Sequence, residues 1–386
     1  MPAEPGTWRP NPEWTHFEDD APAPDDMARG LELQRAHDPA VLLGEIEGLL
    51  RAYVVLPMDE QYVAVSLWVA HTYTWRDAAH TTPYLSIQAP EKQSGKSRLL
   101  EVLEQSAHNA LKSASISPAA VYRSIEKWKP TLLIDEADTV FEGKGEDHAA
   151  LRGIINDGYR RGGRALRVEA KSGEVLSFST FCPKALAGIG SPPETIVDRS
   201  IVIRMKRKRL DERVLPFRQT EARLADAESF RQRLEAGFGA VAQSLKGAEP
   251  SMPVGLSDRQ ADCWEPLVAI ADAAGSDWPD RARRAAVVLS MEAGDATEES
   301  FRMRLLAETR NVFGDEDRMP TVRLLAGLNL IDEAPWATFG LDPRSLAKNL
   351  RPYGIGSRDV RFGDQVAKGY LRSDFEDAWV RYLQPM

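Results

Sequence analysis

The sequence predicts an α/β protein with a three-layer αβα core, followed by helices and a small mixed module. Three observations predict it. A short apolar strand, Tyr84–Gln88, runs straight into the glycine- and serine-containing loop Ala89–Ser97. A helical repeat follows over Ser97–Ala107. Beyond it the apolar run Thr131-Leu132-Leu133-Ile134 ends in two carboxylates, Asp135 and Glu136.

At 386 residues the chain exceeds what one core usually serves, so it divides into several parts. Residues 1–38 read as an acidic, Pro-rich tail without periodic apolar positions: Met1–Ala28 holds seven acids against one base, interrupted by Trp8, Trp14 and Phe17. Over 39–80 the spacing of Val41, Leu42, Ile46, Leu49 and Leu50 predicts one helix, and Tyr62–Tyr73 predicts another. The core spans 81–208, with further strands expected at Thr131–Asp135, Ala165–Ala170, Val175–Phe181, Ala185–Ile189 and Ser200–Met205. Helical patterns over Asp211–Leu245 and Ser257–Glu292 predict a helical lid at 209–296. From 297 to 386 short helices alternate with a strand-like stretch, Val360–Leu371, which suits a winged-helix-like C-terminal domain.

The net charge is −9, and the tail carries most of it, which leaves room for basic clusters in the body. Cys182 and Cys263 are too few and too far apart for a disulfide framework or a zinc site. That cysteine usage makes a reducing, cytoplasmic setting the expectation, and a soluble protein is expected since the most apolar stretch, around Tyr62–Val69, is too short and interrupted to span a bilayer. The six histidines are scattered and form no metal-type pair.

The loop Pro90-Glu91-Lys92-Gln93-Ser94-Gly95-Lys96-Ser97 carries the chemistry. A tight loop of this kind points backbone N–H groups at phosphate oxygens, and its lysine adds a movable charge. Pro90 stands where the pattern has its first glycine; it donates no N–H and fixes φ, so the entry to the loop differs. The Gly95-Lys96-Ser97 end is intact, with Arg98 next. Lys96 is expected on the β- and γ-phosphates of ATP, the Ser97 hydroxyl on Mg²⁺, and the helix N-terminus facing the anion. A buried strand needs no carboxylate pair at its tip, whereas a magnesium site does. Asp135 is expected to order the ion's water and Glu136 to polarise the attacking water; the alternative is an N-cap acid after a strand.

A P-loop site also calls for a positive charge at the γ-phosphate in the transition state. Arg199, just before the strand Ser200–Met205, occupies a position similar to the trans-acting arginine finger of AAA+ ATPases; a salt bridge to Asp198 or Glu194 is the alternative. Arg259 resembles the lid arginine that senses the γ-phosphate, and Ser191 is the candidate for a polar sensor.

The segments Leu67–Trp75, Gln88–Leu103, Ser117–Phe141, Cys182–Gly190, Thr195–Lys208 and Asp258–Pro279 together resemble the P-loop domain-of-unknown-function family 3631, from about Leu42 to the C-terminus. The resemblance implies an AAA+-like P-loop NTPase similar to the helicase-like ATPases of phages and mobile elements, and proline at the loop's first position is normal there.

For the substrate, a hairpin is expected from Ala165–Ala170 and Val175–Phe181. Its tip residue Lys171 resembles the DNA-gripping lysine of helicase hairpins, with Arg164 and Arg167 nearby. An edge hairpin with solvated charges is the alternative. Arg344 and Lys348 on the helix Leu341–Leu350, with a basic wing after it, form a second candidate DNA surface, although winged helices also bind proteins. The sequence thus leads to an ATPase that self-associates into a ring, expected to be hexameric, and acts as a helicase or translocase on single-stranded or forked DNA. The competing reading is an ATP-dependent switch or remodeller of a protein partner.

Overall fold

The computed structural model describes residues 35–383, except 115, 144, 169–171, 191, 219, 332–333, 335, 337–339 and 364. Most of the acidic tail, Lys171 and Ser191 therefore lie outside the described residues. The chain divides into two compact units, which meet in sequence at Ser290 and Met291.

In the first unit, α1 (Pro39–Tyr53) and α2 (Asp59–Ala78) precede the sheet, with Asp38 capping α1 through the N–H groups of Ala40 and Val41. Then come β1 (Tyr84–Ala89), α3 (Lys96–Ser106), β2 (Ala110–Ser113), α4 (Pro118–Trp128), β3 (Thr131–Ile134), α5 (Ala137–Glu142) and α6 (Glu146–Asp157). The hairpin β4 (Arg164–Val168) and β5 (Val175–Ser179) follows, then β6 (Lys184–Ile189), α7 (Glu194–Val197), β7 (Ser200–Arg204), α8 (Glu221–Ala242) and α9 (Asp258–Ala274), while α10 (Trp278–Phe313) begins in this unit and runs into the second.

The central sheet has five parallel strands in the order β2-β3-β6-β1-β7 and is flanked by helices. Strands β1, β3 and β6 are buried almost throughout, as parallel strands covered on both faces must be. Leu42, Trp68, Leu85, Leu99, Leu133, Ala185 and Leu267 belong to one continuous core. The Trp68 indole is fully buried and donates to the Pro83 carbonyl at 2.8 Å, tying α2 to the start of β1.

The second unit adds β8 (Arg318–Pro320), α11 (Thr321–Asn329), α12 (Pro343–Leu350), β9 (Arg358–Phe362), β10 (Gln365–Leu371) and α13 (Ser373–Tyr382). Its antiparallel sheet runs β8-β10-β9 over a separate core that includes Phe313, Leu324, Trp336, Tyr370 and Phe375.

Several sequence expectations need correction. Strand β2 is half-buried and lacks an apolar run, and α4 and α6 were not anticipated. Helix α8 starts at Glu221, not near Asp211, because Thr220 supplies the cap that the preceding residues lack. The pattern from Ser257 splits at Gly275, which has φ +70, and α10 continues past residue 297 to Phe313. Val360–Leu371 is two strands, broken at Gly363 with φ +60.

Candidate functional site

Because the strands are parallel, all of their C-terminal ends lie along one edge of the sheet. Strand β1 ends there at Ala89, level with Ile189 of β6, and the loop Pro90–Gly95 turns from it into α3. Gln93 (φ 63) and Gly95 (φ 91) both adopt left-handed conformations, and Gly95 is the N-cap of α3. A Cβ on Gly95 would sit 3.2 Å from Met205 Cε, the far end of a flexible side chain, so it is the backbone angle that favours glycine here. The Lys96 ammonium lies 3.3 Å from the Glu91 carbonyl oxygen and 3.5 Å from Ser94 Oγ, folded back over the loop. Ser94 Oγ in turn donates to the same carbonyl at 3.1 Å. Ser97, in the first turn of α3, is exposed.

Only β6 separates β1 from β3, which puts the tip of β3 about 10 Å to the side of β1. Asp135 leaves β3 there and accepts the Glu136 N–H at 3.0 Å. Glu136 is left-handed (φ 54) at the N-cap of α5, an unfavourable backbone region for a residue with a side chain. Burial lowers the Lys96 pKa, and the opposing fields of Asp138 and Asp135 act to raise it, so the ammonium and these two carboxylates share one electrostatic neighbourhood.

Two residues of this edge escaped the sequence reading. Asp138 accepts the Ile189 N–H at 3.1 Å and so fastens α5 to the tip of β6. Gly188 leaves room for that contact, since a Cβ there would meet Asp138 Oδ1 at 2.9 Å. The third acid of the Asp135-Glu136-Ala137-Asp138 run was the available signal. The other is Arg207, 3.9 Å from Glu91; β7 ends at the loop's edge, and the basic run after it passes the loop.

Other predicted residues lie elsewhere. The Arg98 guanidinium pairs with Glu101 at 2.8 Å and lies 5.2 Å from the Phe217 ring centroid. Arg199 and Arg259 are not beside their own chain's loop. Tyr84 pairs with Ser200 at the starts of β1 and β7, so Arg199 stands at the opposite edge of the sheet, its guanidinium donating to the Thr195 carbonyl. Arg259 joins it there, paired with Asp198, and Cys263 in the second turn of α9 lies 3.5 Å from the Asp198 carbonyl just before β7. Arg199 and Arg259 both line a cavity of about 330 Å³ with Asn156, Asp157, Tyr159, Arg160 and Asp262. Arg259, the candidate for sensing the γ-phosphate, therefore stands away from the loop of its own chain. Neither alternative pairing of Arg199 with Asp198 or Glu194 is the contact it makes.

Arg164 is exposed on the outer face of β4, while Arg167 packs 5.2 Å from the Tyr122 ring centroid. Arg344 and Lys348 are exposed on α12, whose N-cap Asp342 accepts the Ser345 N–H at 2.7 Å. Among the described residues no helix is long and apolar enough to cross a membrane, and no group of three or more His, Cys, Asp or Glu side chains could hold a metal ion.

Fold and site together define a mixed α/β protein with a five-stranded parallel sheet flanked by helices, bearing a glycine-hinged loop and acidic residues along one edge. The chain belongs to the family described as protein of unknown function (DUF3631), which matches residues 204–382. A relative from Saccharopolyspora erythraea, "Uncharacterized 28.9 kDa protein in xis 5'region", is 46% identical over 182 residues, or 46% of this chain and 68% of the relative. The family match thus begins well after Leu42, and the loop Pro90–Ser97 and the acids at 135–138 lie outside it. Two solved structures of the "NrS-1 C terminal region-CTR" are similar. The first has a TM-score of 0.33 and 16% identity over 86% of this chain and 75% of that one; the second has 0.29 and 14% over 86% and 74%. Similarity of this degree does not extend to activity.

Proposed function

We propose that the chain binds and hydrolyses ATP at the C-terminal edge of the sheet. The observation that carries this reading is the left-handed Gly95 turn, which opens α3 with Lys96 over the loop and within the field of Asp135 and Asp138. In this reading the N–H groups of the loop and of the first turn of α3 take the phosphates, and Lys96 leaves its carbonyl rest for the β- and γ-oxygens. Glu136, exposed at the head of α5, holds and polarises the attacking water. Ser97 and Asp135 are oxygen donors of the kind magnesium takes, with water and phosphate completing its shell, and the ion would supply charge neutralisation there. Arg199, at the far edge of the sheet, serves the nucleotide of a neighbouring copy, which makes the active form an oligomer, in our reading a ring. The substrate we assign is DNA, with the protein acting as a translocase or helicase.

The test measures ATP turnover with and without single-stranded DNA, for wild type and Lys96→Ala. We expect turnover that DNA stimulates and that falls at least ~100-fold in Lys96→Ala, as losing a transition-state charge contact does. Turnover that survives the substitution removes the site. Turnover indifferent to DNA but responsive to a protein replaces the motor with a remodeller.

A further inference from the structure

A second cavity, this one basic, lies at the edge of the sheet opposite the loop, and of its lining only Arg164 has a role considered above. Its volume is about 550 Å³, and Trp75, Arg76, Asp77, Ile125, Glu126, Lys129, Arg161–Arg164, Ser179 and Phe181 line it. Phe181 precedes β6, Lys129 precedes β3 and Arg161–Gly163 precede β4, which places the cavity at the strands' N-terminal edge and at the root of the β4–β5 hairpin. Four cationic side chains face two acids, in a chain whose net charge is −9. The acids are partly spoken for, because Glu126 already accepts the Ser179 N–H at 2.8 Å. Arg161 is engaged too, donating to the carbonyls of Ala79, Trp75 and Arg76 at 2.7–2.9 Å. Arg76, Lys129 and Arg164 remain exposed around the opening.

One further observation points to a ligand. Between Glu126 and Lys129 the chain presents Trp128, which is 53% exposed, with the Lys127 ammonium 5.8 Å from its ring centroid. Trp128 stands outside the lining of the cavity, and its exposed ring is a surface on which a base can stack.

We propose that this cavity binds the phosphates of a single DNA strand, with Arg76, Lys129 and Arg164 as the phosphate contacts and Trp128 as a stacking surface for a base. This rests on the assignment of DNA as substrate, but not on ATP hydrolysis, because the loop and the cavity occupy opposite edges of the sheet.

The test is fluorescence anisotropy of a labelled oligothymidylate with the full chain and no nucleotide. It compares wild type, the Arg76→Ala/Lys129→Ala/Arg164→Ala triple variant, and Trp128→Ala. The triple variant should bind at least ~10-fold more weakly and with a salt dependence shallower by about 2, given ~0.7 per phosphate contact on a single strand. Trp128→Ala should lose roughly 5- to 100-fold, the span of one stacked base. Circular dichroism confirms folding; should the triple variant unfold, the single changes Lys129→Ala and Trp128→Ala decide. Variants that bind like wild type overturn the site while leaving DNA as substrate. Displacement of the oligonucleotide by thymidine monophosphate or inorganic phosphate at equal phosphate concentration assigns the cavity to a free anion and overturns the strand. A wild type that ignores DNA overturns both the strand and the DNA substrate, while turnover lost in Lys96→Ala keeps the hydrolysis reading.

Discussion

His71 shows how much a single buried group can weigh. It sits inside α2 at 1% exposure with Nε2 2.9 Å from Thr82 Oγ1, and burial pushes its imidazole down from 6.5 to about 3. The unfolded chain takes up a proton below pH 6.5, whereas the folded chain resists one until about 3. The stability this creates is complete above pH 6.5 and drains away as the pH falls toward 3, at about 1.4 kcal/mol per unit. Urea titrations between pH 7 and 4 should therefore show a stability slope shallower by that amount in His71→Gln than in wild type. Parallel curves would mean that the imidazole is charged in the fold. Sequence alone marked His71 only as one histidine among six, because burial depends on what packs over a helix from distant parts of the chain.

At the scale of elements, sequence patterns were legible wherever one physical cause dominated. The strands β1, β3, β6 and β7 are short apolar runs, and each was placed to within a residue or so. Strand β2 was missed because Ala110–Ser113 is only half-buried at the sheet's end, so no apolar run marks it. No sequence pattern marked Arg161 for the structural task it has. Its guanidinium caps the C-terminal carbonyls of α2, where a cation also meets the negative end of the helix dipole. Arg161→Ala should lower stability by about 1–3 kcal/mol, and Arg161→Lys should restore only part of it, since a lysine cannot fork between carbonyls. Thermal unfolding followed by circular dichroism measures both. Full recovery with lysine would reduce the role of Arg161 to charge alone.

At the scale of the molecule, the arginines distinguish a self-contained site from a shared one. Arg199 and Arg259 stand at the edge of the sheet opposite the loop of their own chain, gathered around one cavity with Asp198. Under the proposed trans arrangement, Lys96→Ala and Arg199→Ala are each inactive alone. Mixed together they should recover part of the turnover, because some sites then join an intact loop to an intact arginine. Mixtures no more active than the separate variants would assign Arg199 to a structural role within its own chain.

By itself the sequence determined the α/β core, the order loop, helix, acidic strand, and the residues at the tips of β1 and β3. These follow from local causes: apolar periodicity, a glycine whose backbone angles other residues resist, and acids where a buried strand ends. Only the tertiary structure decided that Asp138 fastens that edge and that Arg259 joins Arg199 at the other. It likewise decided that residues from α2, α4 and the root of the hairpin close around a basic cavity. Those are meetings of segments distant in the chain, set by strand order and helix packing.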